Sequence, residues 1–250
     1  ETAVYSIRWG HRMAGLPSPT DHSTVKAVLE GARRKLARPV RPKEPLSEEA
    51  LHNICEQYNT NGATLEIVRF LFIVIIGYSS LLRISEILSI RLSDIVITES
   101  FMSISISKRK NDQHREGHIS VLARSGKVTC PVSITERLVS LLPSQDKSSP
   151  FPIVRRIVKT KRREHFHSYL SISYSTALDS IRKFIAPFVS DPKQFGTHSL
   201  KSGGASNSGF KRLEPDVKVR HARWKDPRSK RRYTKRSPKE LAEVTKAMSL

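Results

Sequence analysis

Apolar positions recur along the chain first at helical spacing, then at strand spacing, then at helical spacing again. Tyr5, Ile7, Trp9 and Met13 mark an amphipathic series that Leu16-Pro-Ser-Pro-Thr20 breaks. Val25, Val28, Leu29 and Ala32 then share one face of a second helix over Val25–Leu36, with Arg33, Arg34 and Lys35 beside them. Residues 1–38 thus read as helical. The stretch Ala37-Arg-Pro-Val-Arg-Pro-Lys-Glu-Pro45 carries three prolines, which fix φ and push the preceding residues into extended conformations. It reads as a stiff linker over 39–46, dividing a helical segment, 1–38, from a larger domain, 47–250.

In the larger domain Ser47 is placed to cap a helix, with Glu48 and Glu49 in its first turn where carboxylates suit the macrodipole. Ile67–Ile76 is apolar nearly all round and predicts a buried helix. A short helix over Arg83–Ile90 precedes a change of period. Ile95–Thr98, Phe101–Ser107 and His118–Leu122 read as strands, Met102, Ile104 and Ile106 alternating with serines. Ser133-Ile-Thr-Glu136 matches a capping box opening a helix to Leu142, and 144–168 reads as a basic loop. Helical patterns return at Tyr174–Phe188, His198–Gly209, Pro215–Ala222 and Pro238–Met248. The fold class is mainly α with a small antiparallel β-sheet, without internal repeats.

Composition narrows what such a domain can do. With 38% hydrophobic residues, 250 residues suffice for a real core. The 44 Lys+Arg against 23 Asp+Glu leave a formal charge of +21, which repels itself and favours a polyanionic partner, nucleic acid or an anionic membrane face. Acidic small molecules would not require so many cations. The most apolar stretch, Ile67–Ile76, falls well short of the roughly 20 residues a bilayer needs and contains Arg69, so no membrane span is expected. Cys55 and Cys130 are far apart and in no CxxC pair, which excludes a disulfide framework and points to a reducing compartment. The chain opens Glu-Thr-Ala without Met and reads as part of something longer.

Four places carry candidate chemistry. In Leu81-Leu-Arg-Ile-Ser-Glu-Ile-Leu88 an arginine follows a core helix, where an unpaired guanidinium would be costly. Arg83 either pairs with Glu86, one helical turn on, or binds an anion. Ser107-Lys-Arg-Lys-Asn-Asp-Gln-His-Arg115 fits a hairpin turn through Asn111-Asp112, but that shape leaves the cations Lys108, Arg109, Lys110 and Arg115 unexplained; a phosphate backbone would use them. In Gly196-Thr-His-Ser-Leu-Lys-Ser-Gly-Gly-Ala205, Thr197 is a candidate N-cap, and His198 and Lys201 fall on one helix face. Paired glycines inside a helix cost about 1 kcal/mol each relative to alanine, so something must approach closely there. No metal is expected, because no further ligand sits at metal spacing from His198, and His165-Phe-His167 has the same defect. The fourth place, Arg223-Trp-Lys-Asp-Pro-Arg-Ser-Lys-Arg-Arg-Tyr-Thr-Lys-Arg236, would pass for a basic tail or nuclear-targeting run except that Trp224 and Tyr233 are embedded in it. Tyrosine can serve as a covalent nucleophile.

Taken in order, these motifs resemble the tyrosine recombinase (phage-integrase-like) family: an arginine in Leu-Leu-Arg-Ile-Ser-Glu, a lysine in a β-hairpin, His-x-x-basic before Gly-Gly-Ala, and a tryptophan nine positions before a tyrosine. The likeness runs from about Leu46 to Leu250. Residues 1–38 resemble the end of the family's helical core-binding domain, and the wording around His198 is most similar to recombinases of eukaryotic mobile elements.

The resemblance implies phosphoryl transfer with no metal and no cofactor. Tyr233 would attack a DNA phosphodiester, leaving a 3′-phosphotyrosyl link and a free 5′-hydroxyl. Arg83, supported by Glu86, would bind the non-bridging oxygens. Lys110, or Lys108 in another hairpin register, would be the general acid toward the leaving 5′-oxygen. His198 and Trp224 would bond the phosphate or buttress the pocket. Lys201 stands where the family has its second arginine; it keeps the charge but loses the bidentate fork, which would cost about 10²–10³ in rate.

Further DNA contacts are expected from Arg155, Arg156, Lys161, Arg162 and Arg163, and from Arg223, Lys225, Lys230, Arg231 and Arg232. Residues 201–250 hold 15 Lys+Arg against 5 Asp+Glu around Trp224 and Tyr233. Partners implied are double-stranded DNA and further copies of the chain, a dimer on one site and a tetramer in synapsis. The C-terminal helix would join the copies through Leu241, Val244 and Met248. The implied location is the nucleus for a eukaryotic element, otherwise the nucleoid or cytoplasm. Two other readings are a recombinase-derived DNA-binding protein silenced by Lys201 and a type IB topoisomerase-like enzyme.

Overall fold

The computed structural model describes residues 2–37, 42–106, 117–143, 148–161 and 163–223. The chain divides into two compact units, Glu1–Pro42 and Lys43–Leu250, the division falling within the proline-rich stretch. The first unit is a pair of helices, α1 (Thr2–Met13) and α2 (Ser23–Leu36), joined through a short 3₁₀ turn over Pro19–Asp21. Its connection is tied by Arg8, which bonds the Thr20 hydroxyl at 3.3 Å and pairs with Asp21 at 3.0 Å. Neither helix buries a residue, and Tyr5, Trp9, Met13 and Val28 stand exposed.

The second unit is built around one apolar helix. α3 (Glu48–Tyr58) begins where Ser47 Oγ accepts the Ala50 N–H at 3.0 Å, as the Ser-Glu-Glu pattern predicts. α4 (Leu65–Ser79) then buries every residue from Val68 to Tyr78, because α3 and the later helices over Pro131–Ser140, Tyr174–Ile185 and Thr197–Ser206 pack around it. The charge within that run, Arg69, is accommodated by a 2.9 Å bond to the carbonyl of Arg155. Against this core lie Phe70, Phe184 and Tyr58, ring to ring at 4.9–6.2 Å.

α5 (Ile84–Ile87) is shorter than the helix expected over Arg83–Ile90, with Arg83 as its N-cap. Next comes an antiparallel sheet ordered β1 (Ile95–Ile97), β2 (Phe101–Ile106), β3 (His118–Ala123), with Ile95 opposite Ile104 and Met102 opposite Leu122. Met102, Ile104 and Ile106 face the core, and the alternating serines and the β3 residues Ile119 and Val121 lie on the other face. The hairpin tip, 107–116, lies outside the described residues.

In three further places the structure departs from the expected pattern. α6 (Pro131–Ser140) starts upstream of the Ser133–Glu136 capping box, capped at Cys130; proline at the first helical position loses only an N–H that no helix could use. The stretch read as a loop, 144–168, contains a second antiparallel pair, β4 (Arg155–Lys159) and β5 (Glu164–Ser171), with a register irregularity between Arg155 and Ile157. Its alternation is masked in the sequence because charges occupy both ends and the inward positions include an arginine. The chain then runs through α7 (Tyr174–Ile185), α8 (Thr197–Ser206), α9 (Ser208–Arg212) and α10 (Pro215–Ala222). α8 is capped by Gly196, not Thr197: the Ser199 hydroxyl accepts the Gly196 N–H at 3.0 Å. Among the described residues no helix is long and apolar enough to cross a membrane.

Candidate functional site

Three segments distant in sequence meet at the C-terminal end of α4. The first is the turn between α4 and α5. Leu81 takes a left-handed backbone there, φ 54°, which reverses the chain and delivers Arg83 to the start of α5. Glu86, at the third position of that helix, accepts the Arg83 backbone N–H at 2.7 Å and its guanidinium at 3.1 Å. Glu86 is buried, with 5% of its side chain exposed, while Arg83 keeps 33%. One carboxylate thus holds the inner edge of a guanidinium whose outer edge is exposed among the described residues.

The second segment is α8. Its close approach to α4 requires the paired glycines: a Cβ at Gly203 would meet the Leu46 backbone and the Tyr78 ring, and one at Gly204 would meet the Tyr78 carbonyl and Leu81. α4 reciprocates with Gly77, where a Cβ would lie 2.8 Å from Leu200. What approaches the glycines is therefore the protein's own backbone. This packing brings Lys201 inside, 4% exposed, beside the charges of Arg83, Arg223 and Glu86. Burial first, then Arg223 and Arg83, lower the Lys201 amine to about 8, with Glu86 opposing them. His198, one turn earlier, is exposed.

The third segment is the end of α10. His221 Nε2 lies 2.8 Å from the Ser79 carbonyl. Arg223 adopts a left-handed conformation, φ 57°, and turns its side chain inward, 5% exposed, to bond the Leu81 carbonyl at 3.0 Å and approach Glu86 at 3.8 Å. Arg223 was expected among surface DNA contacts; it is buried with the Arg83 turn instead. The sequence signal that points to it is its position directly before Trp224, which a basic run disguises.

Arg155 requires the same correction. It is 2% exposed and bonds the Pro152 carbonyl at 2.7 Å, so its role is to join β4 to its surroundings. Arg156, Lys161 and Arg163 are exposed on the β4–β5 hairpin. Lys108, Arg109, Lys110, Arg115, Arg162, Trp224, Lys225, Lys230, Arg231, Arg232 and Tyr233 lie outside the described residues, as do Leu241, Val244 and Met248. Among the described residues, no three His, Cys, Asp or Glu side chains gather as a metal site would require.

This is the fold of tyrosine recombinase catalytic domains. No protein-family model matches the sequence. A curated relative, an integrase/recombinase xerD homolog of Selenomonas ruminantium, is 21% identical over 233 residues, 93% of this chain and 65% of its own length. The structure is similar to that of XerA recombinase, with a TM-score of 0.57, 16% identity, and coverage of 98% of this chain and 74% of that one. XerH recombinase bound to a palindromic difH substrate gives 0.56 at 15% identity, covering 83% and 54%. The Tn1549 transposon integrase in complex with a circular intermediate DNA gives 0.53 at 11%, covering 99% and 84%. The chain thus shares the fold of tyrosine recombinase catalytic domains, and its sequence is similar to that of a recombinase homolog. It spans about two thirds of the length of the curated relative.

Proposed function

We propose that the chain is the catalytic region of a site-specific DNA recombinase or integrase that cuts and rejoins DNA through a 3′-phosphotyrosyl intermediate. The observation that carries this is the convergence of Arg83, Lys201 and Arg223 on the buried carboxylate of Glu86. Three cations around one anion leave positive charge in a sheltered place, where it acts more strongly on a phosphate than it would in water. In this reading the Tyr233 oxygen bonds phosphorus as the bond to the 5′-oxygen breaks, and Lys110 supplies that oxygen's proton. Arg83 and Lys201 meet the charge that builds on the non-bridging oxygens. His198 and Trp224 complete the pocket. DNA substrates of XerH and the Tn1549 integrase support duplex DNA as the partner, and the +21 charge supports it independently. Assembly through the C-terminal helix belongs to the same reading.

A second reading, a recombinase-derived DNA-binding protein of low activity, draws on Lys201, whose amine lacks the guanidinium fork and loses its charge near pH 8. Nicked suicide duplexes test both. Wild-type protein that becomes covalently attached to DNA, and Tyr233→Phe protein that binds but does not, support the recombinase; equal binding without attachment in the wild type favours the silenced form.

A further inference from the structure

The described residues contain two non-glycine positions with left-handed backbone, Leu81 and Arg223. They touch: the Arg223 guanidinium bonds the Leu81 carbonyl at 3.0 Å and the Ser80 carbonyl at 3.4 Å. A residue with a Cβ resists this conformation, which persists only where the surroundings over-determine it, and such positions gather at functional sites. Here both lie across one contact, between the turn that presents Arg83 and the last turn of α10.

The same guanidinium comes within 3.8 Å of Glu86, the carboxylate that holds Arg83. Its side chain is 5% exposed, so it does not reach out to a DNA backbone as a surface cation would. All three contacts run through one terminal nitrogen, Nη2, which the rigid guanidinium plane carries to the two carbonyls and the carboxylate; an ammonium ends a flexible stem and is held there less firmly. Glycine, which suits the backbone best, supplies none of these bonds.

We propose that Arg223 is a positioning residue, clamping the end of α10 to the Ser80–Leu81 turn and sharing Glu86 with Arg83, so that Arg83 and Lys201 are held toward one phosphate. The inference rests on the recombinase reading and deepens it. Arg223 acts through its neighbours: it fixes the turn from which Arg83 projects and adds a positive charge facing Lys201. Among the described residues, the charged groups that act on the Lys201 amine include Arg83 and Glu86 at the start of α5 and Arg223 at the end of α10.

The test compares Arg223→Gly, which keeps the left-handed backbone and removes the guanidinium, with Arg223→Lys, which keeps a charge and removes the rigid guanidinium plane. Single-turnover attachment to a nicked suicide duplex is measured against pH, alongside DNA affinity and thermal melting. For Arg223→Gly, attachment is expected to slow about 10²-fold, the effect of a misplaced reacting group, with DNA affinity within about threefold of wild type. Its alkaline limb moves to higher pH, because Lys201 loses a neighbouring positive charge. Arg223→Lys keeps the limb where it was but recovers only part of the rate.

Attachment and pH limb both unchanged in Arg223→Gly would overturn the proposal. So would a loss of DNA affinity matching the loss of rate, which marks a DNA contact instead. NMR titration of Lys201 in DNA-free protein gives a readout independent of the reaction: an upward shift in Arg223→Gly supports the placement of Arg223, and an unmoved midpoint overturns it. Wild-type protein that never attaches to DNA overturns the recombinase reading itself, and the Lys201 titration separates that failure from this one.

Discussion

Replacing Lys201 with arginine separates charge from geometry at the candidate phosphate site. Lys201 is buried beneath α4, with its amine lowered to about 8, first by burial and then by Arg223 and Arg83. A group with that pKa is about nine-tenths protonated near pH 7 and about one-tenth near pH 9. If the cation stabilises the transition state, attachment to a suicide duplex slows about tenfold across that range. Lys201→Arg stays charged throughout and restores a forked donor. Its attachment rate is expected to be flat from pH 7 to about 9, exceeding wild type by about 10²–10³ near pH 7 and by about tenfold more at the alkaline end. The larger side chain in a close-packed place costs about 1–3 kcal/mol of stability, read by thermal melting.

Lys201→Met is the companion variant. Burial disfavours the charged amine, so between about pH 8 and 10.5 the unfolded chain binds more protons and wild-type stability rises with pH. Methionine carries no such penalty. It should be more stable than wild type near pH 7 by about 3 kcal/mol, the gain vanishing toward pH 10.5, and should be unable to support attachment. A folded Lys201→Arg protein whose rate falls with the wild-type midpoint would refute the assignment of that limb to Lys201.

Two further predictions follow from the same packing. Glu86→Gln removes the carboxylate shared by Arg83 and Arg223, and should cost about 1–3 kcal/mol, with melting lowered by about 2–4 °C for each kcal/mol. Because Glu86 raises the Lys201 amine, its loss should also move the alkaline limb of attachment to lower pH. Gly204→Ala drives a methyl into the Tyr78 carbonyl and Leu81 and should destabilise by about 1–3 kcal/mol or more, whereas Gly62→Ala, which meets nothing within 4 Å, should leave urea denaturation nearly unchanged.

What the chain reveals before folding is whatever local pattern controls. The buried α4 follows from an unbroken apolar run, the three-stranded sheet from alternation at Met102, Ile104 and Ile106, and the α3 start from Ser47. The Arg83–Glu86 pair is legible because both partners lie within one helical turn. Gly203 and Gly204 announce a close approach, but the partner, the end of α4, is far away in sequence and only the tertiary structure supplies it. Distance also hides the two inward arginines. Arg155 and Arg223 sit in basic stretches that read as surface, yet their acceptors are carbonyls and a carboxylate brought in by other elements. The β4–β5 pair escaped for a related reason, since its inward arginine and charged ends conceal strand alternation.

On the proposed recombinase reading, the site makes a covalent bond to DNA through Tyr233. The most direct test of that reading is denaturing electrophoresis of protein incubated with a labelled nicked suicide duplex, followed by mapping of the attached residue. A protein–DNA adduct is expected for wild type, with the label on the peptide containing Tyr233, and no adduct for Tyr233→Phe despite retained DNA binding. An adduct that survives in Tyr233→Phe, or that maps to another residue, would contradict it.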